Sequence, residues 1–367
     1  MKLTVYCCIV FLFASVAASA TVTVSEFPIC TDASVQGNPA ISGDTVVWWD
    51  RRNDFNGDIY GYDLSTHTEF PICTDAHIQC WPAISGDTVV WGDTRNGYWD
   101  ISDIYGYDLS THSEFAICTD AGEKGVPAIS GDAVVWEDDR NGNYDIYGYD
   151  LLTHSGFAIS TAAGDQRWPA ISGDTVVWID YRNGNWDIYG YDLSTHSEFS
   201  ICTAAGDQLS PAISGDTVVW WDNRNGNGDI YGYDLSTHSE FAICTAAGDQ
   251  SWSAISGDTV VWEDFRNGND DIYGYDLSTH SEFPICTDAS DQYQPAISGN
   301  TIIDYTGEPV TSGYTVVWQD YRNGNYDIYG ATISYGGGPV VPEPMTLALI
   351  APALFGFAGI AFRKMRR

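Results

Sequence analysis

The chain has 367 residues with 50 Asp and Glu against 15 Lys and Arg, a formal net charge of −35, which repels phosphate and excludes nucleic acid as a partner. Hydrophobic residues make up 44%, including 14 Trp, 23 Tyr and 14 Phe, so a packed core is available and wholesale disorder is excluded. The 9 Cys contain no CxxC pair, which argues against an intracellular zinc or redox protein; 37 Gly with only 18% charged residues point to a turn-rich all-β chain.

Lys2 opens a short basic region, an apolar run follows from Val5 to Val16, and Ala18-Ser19-Ala20 supplies the small residues a signal peptidase reads. Residues 1–20 are expected to be a secretory signal peptide, cut after Ala20 and taking Cys7 and Cys8 with it.

Beyond this segment the chain repeats itself. PAISGD or a close variant starts at Pro39, Pro82, Pro127, Pro169, Pro211, Ser253 and Pro295, in steps of 43, 45, 42, 42, 42 and 42 residues. DIYG recurs at Asp58, Asp103, Asp145, Asp187, Asp229, Asp271 and Asp327, and EFPICT-like phrases start at Glu26, Glu69, Glu114, Gly156, Glu198, Glu240 and Glu282. Each unit reads as four short strands: PAIS, then TVVWxD after a Ser-Gly-Asp turn, then DIYGYDL after an Arg-Asn-Gly-Asn hairpin, then EFxICT after Ser-Thr-His-Ser. Four strands in about 42 residues is the length of a propeller blade. The repeat begins with a spare fourth-strand phrase and ends on a third-strand phrase. The expected fold is therefore an all-β, seven-bladed β-propeller over residues 21–335, closed by an N-terminal strand around Thr23–Thr31. An open solenoid of the same units is the alternative.

Units such as PAISGDTVVWIDYRNGNWDIYGYDL, Pro169–Leu193, resemble TolB-like propeller repeats, and the resemblance covers roughly residues 22–333. It implies the fold and leaves function open, because this fold hosts enzymes, scaffolds and binding modules. The Tol–Pal role is not expected to come with it, because the extra N-terminal domain of TolB is not expected here.

A residue present in every repeat most simply serves the blade. Arg52, Arg95, Arg140, Arg182, Arg224, Arg266 and Arg322 share one position, each between two acids such as Asp180 and Asp187. They are expected to form a guanidinium–carboxylate clamp across the hairpin or to the adjacent blade. Cys30, Cys73, Cys118, Cys202, Cys244 and Cys286 share a fourth-strand position, too far apart in a propeller to bridge, and are expected to be buried small side chains; Cys80 has no counterpart and is expected to be free. His67, His112, His154, His196, His238 and His280 fall in rim turns and cannot converge on one ion. No cofactor is expected. Structural calcium stays open because the hairpins are acidic, although an Arg stands where an EF-hand-like loop needs a ligand.

Positions that vary between repeats are the candidates for a site. The pairs before each first strand, among them Cys80-Trp81, Arg167-Trp168, Ser251-Trp252 and Tyr293-Gln294, ring the expected channel mouth. The residues after each strand-end Asp include Tyr181, Phe265 and Tyr321. Trp81, Arg167, Trp168, Trp252, Tyr293, Tyr181, Phe265 and Tyr321 are the candidate ligand-binding set, since aromatics at a polar mouth stack on sugars or anchor peptides. An insertion at Thr301–Thr311 is expected to cover part of this face. No catalytic residue is assigned: no unique carboxylate pair stands out, and neither a nucleophile elbow nor HExxH occurs.

At the far end, Gly336-Gly337-Gly338 leads through residues 336–344, with the motif Pro342-Glu343-Pro344, to an apolar stretch Met345–Phe362 and a basic tail Arg363–Arg367. Eighteen apolar residues suffice for a transmembrane helix, with the cationic tail in the cytoplasm. This arrangement resembles the PEP-CTERM sorting signal, which implies an exosortase-type processing enzyme as partner and delivery to the cell surface or extracellular matrix. A permanent single-pass anchor is the alternative. The sequence thus reads as a monomeric, exported, non-enzymatic module binding extracellular polysaccharide or an envelope protein. A glycan-active hydrolase or lyase and an acidic, cation-gathering coat protein are the alternatives.

Overall fold

Runs of β-branched and aromatic residues broken by Ser-Gly and Asn-Gly turns give short antiparallel strands. In a computed structural model of the protein these form seven four-stranded sheets. The structure describes residues 22–53, 56–97, 103–303 and 309–335; the signal segment, the Pro342-Glu343-Pro344 linker, the apolar stretch and the basic tail lie outside them. Blade 4 is representative, with strands Gln166–Ser172, Thr175–Asp180, Asp187–Asp192 and Ser197–Cys202 in simple up-and-down order.

The seventh sheet is assembled from both ends of the ring. Gln292–Ile303, Pro309–Asp320 and Asp327–Tyr335 are joined by Val22–Cys30 as the outermost strand, paired from Val22↔Tyr335 to Cys30↔Ile328. The N-terminal strand thus covers an edge that would otherwise be open.

Apolar cores lie between blades rather than within them. Val177, Ile188 and Ile201 of blade 4 pack on Ile213, Val218 and Trp220 of blade 5. The seam is built the same way, with Ile29, Val317 and Ile328 of blade 7 against Ile41, Val46 and Trp48 of blade 1. Burying one such side chain contributes about 1.5–3 kcal/mol. Gly190 in DIYG is needed for this packing, because a Cβ there would stand 2.6 Å from the Phe199 ring.

Polar bonds repeat the circle on either face. On one face, the Ser of each Ser-Gly turn accepts the Gly N–H of the next blade at 3.0 Å, as Ser130 Oγ does from Gly173 and Ser172 Oγ from Gly215. On the other face, Asn183 donates to Asp187 Oδ2 and Tyr189 Oη, and Asn185 donates to Asp187 Oδ1 and the Ala204 and Gly206 carbonyls of the following linker. Gly184 turns the hairpin at φ +95°.

The described residues of the last-blade insertion lie away from the channel mouth. It lengthens the hairpin between first and second strands, with Thr301↔Thr311 and Ile303↔Pro309 paired, while Gln292 at the mouth end of that strand pairs with Asp320. Strand direction therefore carries the described ends of the insertion, 301–303 and 309–311, to the opposite face.

Candidate functional site at the channel mouth

Every first strand carries a bulge at the same point, seen in blade 4 as a register break between Arg167 and Ala170. The residue at its centre adopts positive φ: Asn38 (50°), Trp81 (52°), Val126 (44°), Trp168 (52°), Ser210 (51°), Trp252 (49°) and Gln294 (51°). This backbone is disfavoured for any L-residue and most of all for β-branched Val126. Bulges re-aim side chains at barrel rims, and here they turn all seven residues onto the wall of one cavity of about 550 Å³.

Large and small residues alternate around that wall. Tryptophans come from blades 2, 4 and 6, with Asn38, Val126, Ser210 and Gln294 between them. Trp168 and Trp252 meet above Ser210 with ring centroids 5.9 Å apart. Trp81 and Trp252 stay 41% and 44% exposed, an apolar surface open to a ligand. Asn38 Nδ2 donates to Gln294 Oε1 at 3.2 Å across the seam.

Two buried carboxylates serve this rim. Glu137 Oε2 accepts the Trp168 N–H at 3.0 Å, and Glu263 accepts the Gln294 N–H at 2.5 Å and the Ser251 hydroxyl at 3.0 Å. Each holds the bulge of the next blade. Burial raises the Glu137 carboxyl above its ordinary value and pushes Glu263 up to about 7. Glu137 also lines the cavity. A Cβ on Gly125 would meet Glu137 Oε1 at 3.1 Å and the Trp81 ring at 3.5 Å, so the Trp81 ring lies near this carboxylate. Sequence reasoning missed both acids. The usable signal was that they interrupt a position otherwise filled by Trp49, Gly92, Ile179, Trp221 and Gln319.

The candidate set divides. Trp81, Arg167, Trp168 and Trp252 share the cavity wall. Arg167 lies 3.5 Å over the Tyr144 ring with Nη2 3.6 Å from Asp165. Tyr293, Tyr181, Phe265 and Tyr321 stand off that wall. Tyr181 packs on Trp186 and Tyr321 on Tyr326, both at 5.0 Å, Tyr293 lies 6.0 Å from Tyr326, and Phe265 is exposed. Tyr181, Tyr293 and Tyr321 thus meet aromatic partners within their own blades.

The repeated arginines have a different setting. Arg182 bonds Asp180 through Nε (2.9 Å) and Nη2 (2.6 Å), reaches Glu198 at 2.6 Å and lies 4.2 Å over the Tyr189 ring. Its second carboxylate is thus Glu198 of the fourth strand, not Asp187, which the two hairpin asparagines occupy. The same blade-internal clamp recurs at Arg52, Arg95, Arg224 and Arg266. Arg322 takes Glu26 from the N-terminal strand, and Arg140, whose blade has Gly156 at the acid's position, takes Asp120. Each also touches the preceding blade, as Arg224 Nη2 does at Cys202 Sγ, 3.1 Å away. The six repeated thiols are buried and unbridged, and Cys80 is unbridged and half-buried. The rim histidines are turn residues at φ near +55°, and His67, His112, His196, His238 and His280 lie beside a tyrosine hydroxyl, as His196 Nδ1 is 3.4 Å from Tyr191 Oη. Among the described residues no three His, Cys, Asp or Glu side chains group as a metal site.

No family model and no curated protein matches the chain. Solved structures do. TolB from Acinetobacter baumannii is 18% identical over 72% of this chain and 65% of that one, with a TM-score of 0.52; the chain thus spans just under two thirds of TolB's length. An oligogalacturonate lyase from Vibrio parahaemolyticus is 12% identical over 86% and 98%, TM-score 0.60. The β-propeller domain of the Trilobed protease from Pyrococcus furiosus, described as an open velcro, is 14% identical over 84% and 99%, TM-score 0.59. At such identities the likeness is one of fold, and the fold of this chain is a TolB-like seven-bladed propeller.

Proposed function

We propose that the protein is an exported, surface-sorted propeller module without catalytic activity, whose channel mouth binds extracellular polysaccharide or an envelope protein. The convergence of Trp81, Trp168 and Trp252 on one open cavity carries this reading. Flat aromatic faces beside a few polar groups are the ordinary makings of a small-molecule or saccharide site. The address rests on residues 1–20 and on Pro342-Glu343-Pro344 with its apolar stretch and basic tail, which together support export and handling by an exosortase-type enzyme. Affinity electrophoresis through gels cast with the cells' own surface polysaccharide tests the site. Retardation should vanish when Trp81, Trp168 and Trp252 are all changed to Ala; equal retardation of the variant removes the mouth from the account. Mass spectrometry of surface-extracted protein tests the address, where a C-terminus at or just past Pro344 supports processing and an intact Arg367 opposes it.

A glycan-active enzyme is the second reading, favoured by Glu137, a buried carboxyl of raised proton affinity on the cavity wall. Turnover in a glycan panel that disappears in Glu137→Gln would establish it in place of the first.

A further inference from the structure

The wall of the mouth has a sign as well as a shape. Glu123 and Glu137 stand on it against a single cation, Arg167, among the described lining residues. That cation is already engaged by the Tyr144 ring face at 3.5 Å and by Asp165 at 3.6 Å. Glu137 is buried, accepts the Trp168 backbone N–H and has the Trp81 ring near it. A poorly hydrated carboxylate near an indole is complementary to a protonated amine, which gains both the ion pair and the ring face. The wider field points the same way. Residues 21–341 carry 49 Asp and Glu against 10 Lys and Arg, a surplus that draws cations in and turns polyanions away.

Resting on the mouth reading above, we propose that the ligand is a glycan bearing free amino groups, with sugar rings stacked on Trp81 and Trp168 or Trp252 and a ring ammonium directed at Glu137. Stacked sugars fit this wall better than a lysine side chain. The tryptophans come from blades 2, 4 and 6 as separate platforms, with Trp81 and Trp252 more than two fifths exposed; they do not close into a box around one ammonium. Acidic glycans such as oligogalacturonate are excluded by the same field.

The test is calorimetric titration of the full-length protein in detergent at pH 6. The probes are a β-1,4-linked glucosamine tetramer, its fully N-acetylated counterpart, an oligogalacturonate tetramer and tetralysine. The glucosamine tetramer is expected to bind about tenfold or more tightly than the acetylated one, the ratio that one modest charged contact supplies. Glu137→Gln, which keeps an acceptor for the Trp168 N–H, should erase that ratio while leaving the acetylated affinity within about twofold. Trp81→Ala, at the exposed ring common to both stackings, should weaken both sugars. Equal affinities of the two tetramers, or a ratio that survives Glu137→Gln, overturns the amine inference and leaves the mouth reading standing. Sugar binding that is unchanged in the triple Trp→Ala variant overturns the mouth reading itself, and tetralysine binding tightest overturns the glycan in favour of a basic protein.

Discussion

The Gly43 N–H donates to Ser298 Oγ at 3.0 Å across 255 positions of chain. The same bond at the same length joins Gly86 to Ser42 and Gly299 to Ser256, so the seam between blades 7 and 1 is chemically no different from an internal junction. Ser298→Ala should therefore cost what Ser172→Ala costs, about 1 kcal/mol each in urea unfolding. A seam that stood open would make Ser298→Ala silent while Ser172→Ala kept its cost.

Deleting residues 22–30 should do far more. It bares the Asp327–Tyr335 edge, removes Ile29 and Cys30 from the seam core and takes Glu26 from Arg322. The truncated ring should melt more than about 10 °C lower and self-associate through the free edge in size-exclusion runs. A synthetic peptide of residues 21–31 added in trans should restore both properties. A truncated chain that is monomeric and equally stable would show that the strand is dispensable.

Arg182→Met should cost about 3 kcal/mol, because fully buried Asp180 then keeps only the Trp178 Nε1–H, at 3.1 Å, and the residue-182 backbone N–H. Glu198→Gln, at the exposed end of the same clamp, should cost less than about 1 kcal/mol. Comparable losses from the two changes would shift the weight of the clamp to its outer half.

Stability should rise as pH falls from 8 toward 5. Glu263, pushed up by burial to about 7 from 4.5, binds its proton more tightly folded than unfolded. Its contribution is full below about 4.5 and is lost as pH climbs through 7, amounting to at most about 3 kcal/mol. Glu263→Gln should flatten this limb in chemical unfolding followed across pH. At the acid end the sign reverses. Asp192 and Asp234 are held below their ordinary 3.8 by the hydroxyls of Ser194 and Ser236, and that stabilisation fades as pH drops through their lowered values. A profile that rises steadily from pH 5 to 8 would contradict the assignment to Glu263.

The blades were legible because each phrase is a strand or a turn and each turn carries its own chemistry, from the Ser-Gly girdle to the Asn185 hold on the next linker. Ring closure was legible from phase, since Glu26 belongs to a fourth-strand phrase that no downstream repeat completes. The wall tryptophans were legible as variation, but the positive φ that aims Trp168 inward was not; a residue before proline reads as ordinary extended chain. Glu137 and Glu263 were hidden among 50 acids because each precedes a repeated Asp and looks like one more of them. The described ends of the insertion after Asn300 lie on the face opposite the expected one because the direction of the strand leading into it was not followed, although Gln292 at its start already marked the mouth end. The surroundings of the outer aromatics were not legible, because sequence places a side chain on a loop without giving its contacts, such as that of Tyr181 with Trp186.

Val22 and Tyr335 are partners in one ladder, at the rim farthest from the tryptophans. The two ends of the described ring thus meet in one pairing, on the face opposite the aromatic opening, and any change there acts on the first and the last strand of the ring at once.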